Sequence, residues 1–256
     1  MTPNDVSLPP PLPPVDGGAP APEVPIQGVF SAMEALLRRP ADLWSHLRKP
    51  GAGATILALI GIAALCMGVY GIVIGTFAGG DQLWAAPLKV VLGLLISALI
   101  CLPSLYIFAC LGGAKTKLSE VVGLLAGLLA LMTILLVGFA PIAWIFGQST
   151  DSLGWMGFLH LGFWAVALGF ALRFFFAGFR VLGQGGGAGL KAWMILFALV
   201  MVQMTTALRP ILGQAPTFLP PEKRFFLSHW TQHLKEPSPA GAEGQRGAPA
   251  GAQPAR

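Results

Sequence analysis

The sequence predicts an all-α membrane protein, a polytopic bundle of five transmembrane helices with flanking interfacial amphipathic helices and disordered tails. The chain is 55% hydrophobic and only 11% charged, whereas soluble domains carry about 25% charged residues. Two uncharged runs, residues 90–111 and 121–146, each exceed the roughly 20 apolar residues that cross a hydrocarbon core. Runs of this length are helical, because lipid offers the backbone no hydrogen-bond partner except itself.

The two runs form a hairpin around a short basic turn, and the other apolar segments are expected to pack against it. The membrane domain covers residues 50–212. Its five predicted spans are residues 54–78, 90–111, 121–146, 153–176 and 190–208.

Both ends of the chain have a different composition. Residues 1–28 and 235–256 are rich in Pro, Ala and Gly and poor in large apolar side chains. Such segments bury too little apolar area to offset the entropy of ordering, so both are predicted to be disordered. Residues 213–234 are predicted to form an external connector followed by a short amphipathic helix that contains Trp230.

Residues 29–49 predict two short amphipathic helices before the first span. Leu43, Trp44 and Leu47 recur at helical spacing after Pro40. This pattern predicts helices on the cytoplasmic membrane surface, with the basic side toward anionic headgroups. A helix that binds a protein partner is the alternative. The basic side consists of Arg38, Arg39, Arg48 and Lys49.

Two pairs of glycines spaced by four mark predicted helix-packing faces. Gly71 and Gly75 lie in the first span, and Gly123 and Gly127 lie in the third. Small residues at this spacing let neighbouring helices approach closely.

His160 is the one credible ionisable side chain deep in a predicted span. At a rise of about 1.5 Å per residue, His160 and Gln203 both lie about 10 Å below the outer boundary of the bilayer. The sequence therefore predicts a hydrogen bond between them, with Thr206 as the nearest substitute. A bond from His160 to a water molecule or a backbone carbonyl is the alternative.

The sequence argues against catalysis and against metal or cofactor binding. It contains no Ser/His, paired-Asp or HExxH constellation, and its predicted spans contain no Asp or Glu. Cys66, Cys101 and Cys110 lie inside apolar spans, where cysteine usually behaves as a small hydrophobe. The net charge of +5 is scattered around the spans, which is typical of topology signals and not of a nucleic-acid-binding stripe.

Lys and Arg are concentrated on one side of the predicted spans. Loops that stay in the cytoplasm are enriched in these residues, so this side, with the N-terminus, is predicted to be cytoplasmic. Five spans then place the C-terminus outside. The cytoplasmic set is Arg38, Arg39, Arg48, Lys49, Lys115, Lys117, Arg173, Arg180 and Lys191, whereas the loops opposite hold only Lys89 with Asp81 and Asp151.

The chain resembles the Yip (Ypt-interacting protein) family, in particular its bacterial relatives, over about residues 30–208. The pre-membrane segment Arg39-Pro40-Ala41-Asp42-Leu43-Trp44 and the turn Leu111-Gly112-Gly113-Ala114-Lys115 before Leu118-Ser119-Glu120 carry the resemblance, together with five spans. The Asp-Leu-Tyr-Gly-Pro element of eukaryotic members is absent, which argues against a small-GTPase partner. The resemblance implies a membrane-organising or partner-binding role without catalytic residues, and the composition suggests a bacterial inner membrane.

We therefore expect a non-enzymatic, multi-pass integral membrane protein that organises lipid or scaffolds partners. Its expected partners are the lipid bilayer and a membrane or cytoplasmic protein, and self-association is compatible with the sequence. The alternative function is a small transporter or channel subunit. Transport pathways usually need ionisable groups inside the bundle, and His160 is the one candidate.

Overall fold

The computed structural model describes residues 26–78, 82–113, 116–150, 153–183 and 187–207. Within these ranges the chain forms seven α-helices and no strand, which confirms the all-α class for this part of the protein. The helices are α1 (Gly28–Arg38), α2 (Pro40–Leu47), α3 (Gly53–Ala78), α4 (Gln82–Leu111), α5 (Leu118–Ser149), α6 (Leu153–Val181) and α7 (Ala188–Ala207).

Several predicted features lie outside the described residues. They are the tails at residues 1–25 and 235–256, the connector and amphipathic helix at 213–234 with Trp230, and the side chain of Thr206.

Helices α3 to α6 are long and apolar enough to cross a membrane. They contain 26 to 32 residues each, and their most apolar stretches have mean hydropathies of 1.7 to 2.6. Even the shortest rises about 39 Å, more than the roughly 30 Å of a hydrocarbon core. These four helices indicate an integral membrane protein.

The prediction of a fifth span is not met in the described chain. Residues 190–208 correspond to α7, whose apolar part runs only from Ala188 to Met204. A helix of that length rises about 26 Å, which is less than the thickness of the hydrocarbon core. Within the part of the chain that the structure describes, four helices, and not five, therefore have the length and apolar character of a span.

Helix α4 begins eight residues before the predicted start of the second span. The sequence placed Lys89 in an external loop, because a cation normally ends an apolar run. In the structure Lys89 lies inside α4 with a fully buried side chain. The placement of Lys89 in a loop was wrong, because α4 already begins at Gln82 and buries the side chain of Lys89.

Helix α5 is the centre of the bundle. Of the residues in its most apolar stretch 67% are buried, against 33–39% in α3, α4 and α6. It packs against α3 on one side and α6 on the other, and α3 in turn packs against α4. The four helices and the two short N-terminal helices share one continuous hydrophobic core.

Helix α7 closes the bundle between α4 and α6. Trp193 is fully buried, and its indole N–H donates to the carbonyl of Cys101 in α4 at 3.0 Å. Its ring stacks on Phe175 of α6 and on Phe197 of α7, with centroids 5.3 and 5.1 Å apart. One side chain thus joins three helices.

Short connections make consecutive long helices antiparallel. Two residues after the ends of α4 and α6 lie glycines, Gly113 and Gly183, that both have φ +85. This left-handed backbone suits glycine and ends a helix sharply. Glu120 lies in the first turn of α5, and its carboxylate accepts the backbone N–H of Lys117 at 3.3 Å.

The two ends of the bundle differ in chemistry. We call α1 and α2 the cap, the end of the bundle on which they lie the cap end, and the opposite end the far end. Trp84, Trp144 and Trp155 are exposed near the far end, as expected of side chains at a membrane–water interface. Every described Lys and Arg except Lys89 lies at the cap end or within about 12 Å of it.

Candidate functional site

The cap is docked onto the bundle through its apolar side. Leu43 and Leu47 of α2 are buried, and so are Ala32, Ala35 and Leu36 of α1. The sequence assigned Leu43 and Leu47 to contact with lipid, but the structure buries both within the hydrophobic core. Contact between the basic side of the cap and headgroups stays a prediction.

Three glycines of the bundle make room for the cap. A β-carbon built at Gly123 would lie 2.8 Å from a methyl of Leu47. One at Gly178 would lie closest to a methyl of Leu124 in α5 and 2.9 Å from Nε1 of Trp44 in the cap. A β-carbon at Gly127 would lie 2.8 Å from the ring of Phe174 in α6 and 3.8 Å from a methyl of Leu36 in the cap. The predicted packing face Gly123/Gly127 therefore receives side chains of the cap and of α6.

The other predicted glycine pair packs between two membrane helices. A β-carbon at Gly71 would lie 2.5 Å from the backbone of Pro87 and 2.7 Å from Val90, both in α4. Gly75, one turn further along α3, is also buried. Gly71 therefore lies where α3 and α4 approach each other closely.

Polar contacts fix the orientation of the cap. Arg39, at the junction of α1 and α2, lies 3.6 Å from the carboxylate of Glu34 and 3.8 Å from that of Asp42. At the other end of α2, Nε2 of His46 lies 3.1 Å from the hydroxyl of Thr55 in α3. Exposed ion pairs contribute little free energy, so the apolar docking holds the cap. The ion pairs of Arg39 link α1 to α2, and the contact of His46 with Thr55 links α2 to α3.

Docking leaves a second apolar stripe of α1 uncovered. Phe30 is 81% exposed and Leu37 is 49% exposed. Seven residues, or about two turns, separate them, so they lie on one face of α1, opposite the buried one. Arg38 is exposed beside Leu37, and Arg48 and Lys49 are exposed after α2. The outer surface of the cap therefore combines large apolar side chains with cations.

The predicted partner of His160 was wrong. Its Nδ1 lies 2.7 Å from the hydroxyl of Tyr70 in α3, and the two rings meet edge to face with centroids 5.6 Å apart. Its Nε2 is buried and has no partner among the described residues, so neither nitrogen binds Gln203. The depth argument placed His160 and Gln203 at one level but did not fix which helices are neighbours. Helix α3 lies nearer to His160 than α7 does.

Tyr70, Lys89 and His160 share one layer of the bundle. They lie eight, seven and seven residues from the far-end termini of α3, α4 and α6, which corresponds to depths of about 10–12 Å. The sequence indicated only His160 as an ionisable side chain inside the bundle, since Tyr70 lies in an uncharged apolar run and Lys89 was assigned to a loop. The pairing could have been predicted from position, because Tyr70 lies seventeen residues into its predicted span and therefore at the depth of His160.

The contact between Tyr70 and His160 predicts a measurable coupling. In a double-mutant cycle with Tyr70→Phe and His160→Ala, we expect a coupling energy of about 0.6–2 kcal/mol, the range for interhelical hydrogen bonds in membranes. Reversible unfolding in detergent micelles measures it. Pairing His160→Ala with Gln203→Ala is the control and should give additive losses. Additivity for the Tyr70 pair would show that this contact does not form in the protein.

The described residues contain no group of three His, Cys, Asp or Glu side chains placed to hold a metal ion. The three cysteines are free; Cys101 is buried, Cys66 is half-buried and Cys110 is exposed.

The fold and the cap thus define a helical membrane protein with a docked amphipathic pair. Comparisons of the chain with protein-family models, with curated proteins and with solved structures find no match.

Proposed function

We propose that the protein is a non-enzymatic multi-pass membrane protein that organises lipid or scaffolds a protein partner. The outer surface of the cap carries this proposal. Phe30 and Leu37 form an uncovered apolar stripe beside Arg38, on helices that the bundle holds in a fixed position. Amphipathic surfaces of this composition bind anionic membranes or the complementary face of a protein. A relationship to the bacterial members of the Yip family belongs to the same proposal.

A photoreactive side chain placed at position 30 or 37 of the full-length protein, in its native membranes, tests the proposal. We expect adducts at both positions several-fold above those at position 41, which is exposed on α2 but lies outside the stripe. Adducts with lipid support a membrane-organising role, and adducts with one defined protein support scaffolding. Equal, background-level yields at all three positions would contradict both roles.

The proposal includes an orientation, with the cap end and the N-terminus in the cytoplasm of a bacterial cell. The cations at the cap end support it, because cytoplasmic loops are enriched in Lys and Arg. We further propose that α7 completes the crossing as a fifth span and places the C-terminus outside.

Single cysteines at Lys115, Asp151 and Arg209, in a background without the three native cysteines, test this orientation. With an impermeant thiol reagent on intact cells, we expect labelling at 151 and 209 and protection at 115. Lysed cells, in which all three should react, provide the control. Labelling at 115 would show that the orientation is the opposite of the one proposed. Protection at 209, with labelling at 151, would show that the protein has four spans and not five.

A small transporter or channel subunit is the second candidate function. The layer of Tyr70, Lys89 and His160 favours it, because ionisable side chains inside a membrane bundle commonly mark transport paths. Proton entry into proteoliposomes, followed with an enclosed pH dye, should then require His160. Unchanged dye response in the wild type, the His160→Ala variant and empty vesicles would reject proton transport.

A further inference from the structure

A groove between α6 and α7 opens on the outside of the bundle at the cap end. It has a volume of about 330 Å³ and is lined by Phe176 and Arg180 of α6 and by Lys191 and Met194 of α7. Both cations are exposed, and both apolar residues are half-buried. No carboxylate is among these lining residues.

The four residues are arranged in two levels. Arg180 lies four residues nearer the end of α6 than Phe176, and Lys191 lies three residues nearer the start of α7 than Met194. Both helices have these termini at the cap end. The cations are therefore about 5–6 Å further out of the membrane than the apolar residues.

We propose that this groove binds an anionic phospholipid from the leaflet at the cap end. Arg180 and Lys191 bind the phosphate, since a guanidinium and an ammonium group both donate hydrogen bonds to phosphate oxygens. Phe176 and Met194 contact the first part of an acyl chain. Basic pockets between membrane helices on the cytoplasmic side are suited to anionic headgroups.

The lipid completes the contact between α6 and α7 near the cap end. On the buried side of the bundle, at about the depth of Phe176 and Met194, the two helices are joined by the stack of Phe175 and Trp193. At the groove the space between them is open to the side, and two cations face each other across it. A bound anion offsets their repulsion and extends the contact to the helix ends. Binding of a lipid in this groove is a specific form of the proposed membrane-organising role. It rests on the proposed function only for the orientation, which identifies the leaflet at the cap end.

Native mass spectrometry of the full-length protein, released from detergent with added lipid, tests the proposal. We expect retention of phosphatidylglycerol over phosphatidylcholine, and a loss of about tenfold or more in phosphatidylglycerol affinity for R180Q/K191Q. R180K/K191R keeps both charges and should keep most of the binding. R48Q/K117Q, which removes two exposed cations of the cap end outside the groove, should keep the preference.

Three results would overturn the proposal. They are equal retention of both lipids, equal loss in R180Q/K191Q and R48Q/K117Q, and displacement of phosphatidylglycerol by millimolar inorganic phosphate, which would mark a site for free anions. Thermal unfolding of each variant identifies any that is misfolded. If R180Q/K191Q is misfolded, the lipid binding of R180K/K191R decides whether the proposal holds. The outcome is separable from the labelling and crosslinking tests, because a groove that binds no lipid would leave both unchanged.

Discussion

Replacing Gly71 with alanine is expected to destabilise the bundle by about 1–3 kcal/mol, the usual range for overpacking a tight contact. The new methyl group would lie 2.5 Å from Cα of Pro87. A backbone atom cannot rotate away as a side chain can, so α3 and α4 must move apart. This loss outweighs the gain of about 1 kcal/mol that alanine brings to a helix.

Gly68→Ala is a matched control for this prediction. Gly68 lies in the same helix and faces α4, but a β-carbon there would lie 3.9 Å from Val91, an ordinary van der Waals distance. The control should be neutral or stabilised by up to about 1 kcal/mol. Reversible unfolding in detergent measures both variants. Equal stabilities for the two variants would show that α3 and α4 are not in close contact at Gly71.

Trp193→Ala is expected to cost roughly 2–4 kcal/mol, at or below the usual range for a buried tryptophan because lipid weakens the apolar transfer component. The substitution removes the stacks on Phe175 and Phe197 and the hydrogen bond to Cys101 together. Helix α7 should then detach from α4, and protease should cut the connection between α6 and α7 faster.

Two further variants separate the parts of this effect. Trp193→Phe keeps an aromatic ring and loses the indole donor, so we expect a loss of about 1 kcal/mol. Trp84→Ala removes a tryptophan that is 79% exposed and should change stability little. If Trp193→Ala were as mild as Trp84→Ala, α7 would not be part of the folded bundle.

The helices themselves were the most predictable part of the fold. An apolar run without charges has one stable form in lipid, so the positions of α3 and α5 follow closely from composition, whereas α6 continues past its predicted end at residue 176 to Val181 and includes Arg180. The start of α4 could not be predicted from composition, because the rule that a charge ends a span fails where the charge is buried. The sequence of Lys89 and its neighbours contains no sign of what covers it.

The contacts of the candidate site were less predictable than its residues. Residues 29–49 have the pattern of amphipathic helices, and that pattern fixes which side chains share a face. It does not distinguish lipid from protein as the apolar surface that covers this face, since both exclude water. Gly178 illustrates the difficulty, because its role depends on Trp44, which lies more than a hundred residues earlier in the chain. The partner of His160 was missed for the same reason.

The docking of the cap also has a consequence for the order of events during synthesis. The cap leaves the ribosome first, yet the glycines that receive it lie at positions 123, 127 and 178. Until α5 and α6 are in the membrane, Leu43 and Leu47 have no protein surface to cover them, and nascent chains with uncovered apolar faces aggregate or engage chaperones. Helix α1 can pack against α3 as soon as α3 is made, whereas α2 is fully covered only after α5 and α6. A ribosome that stalls before residue 178 would release a chain in which α2 is incompletely covered, which quality-control proteases can recognise.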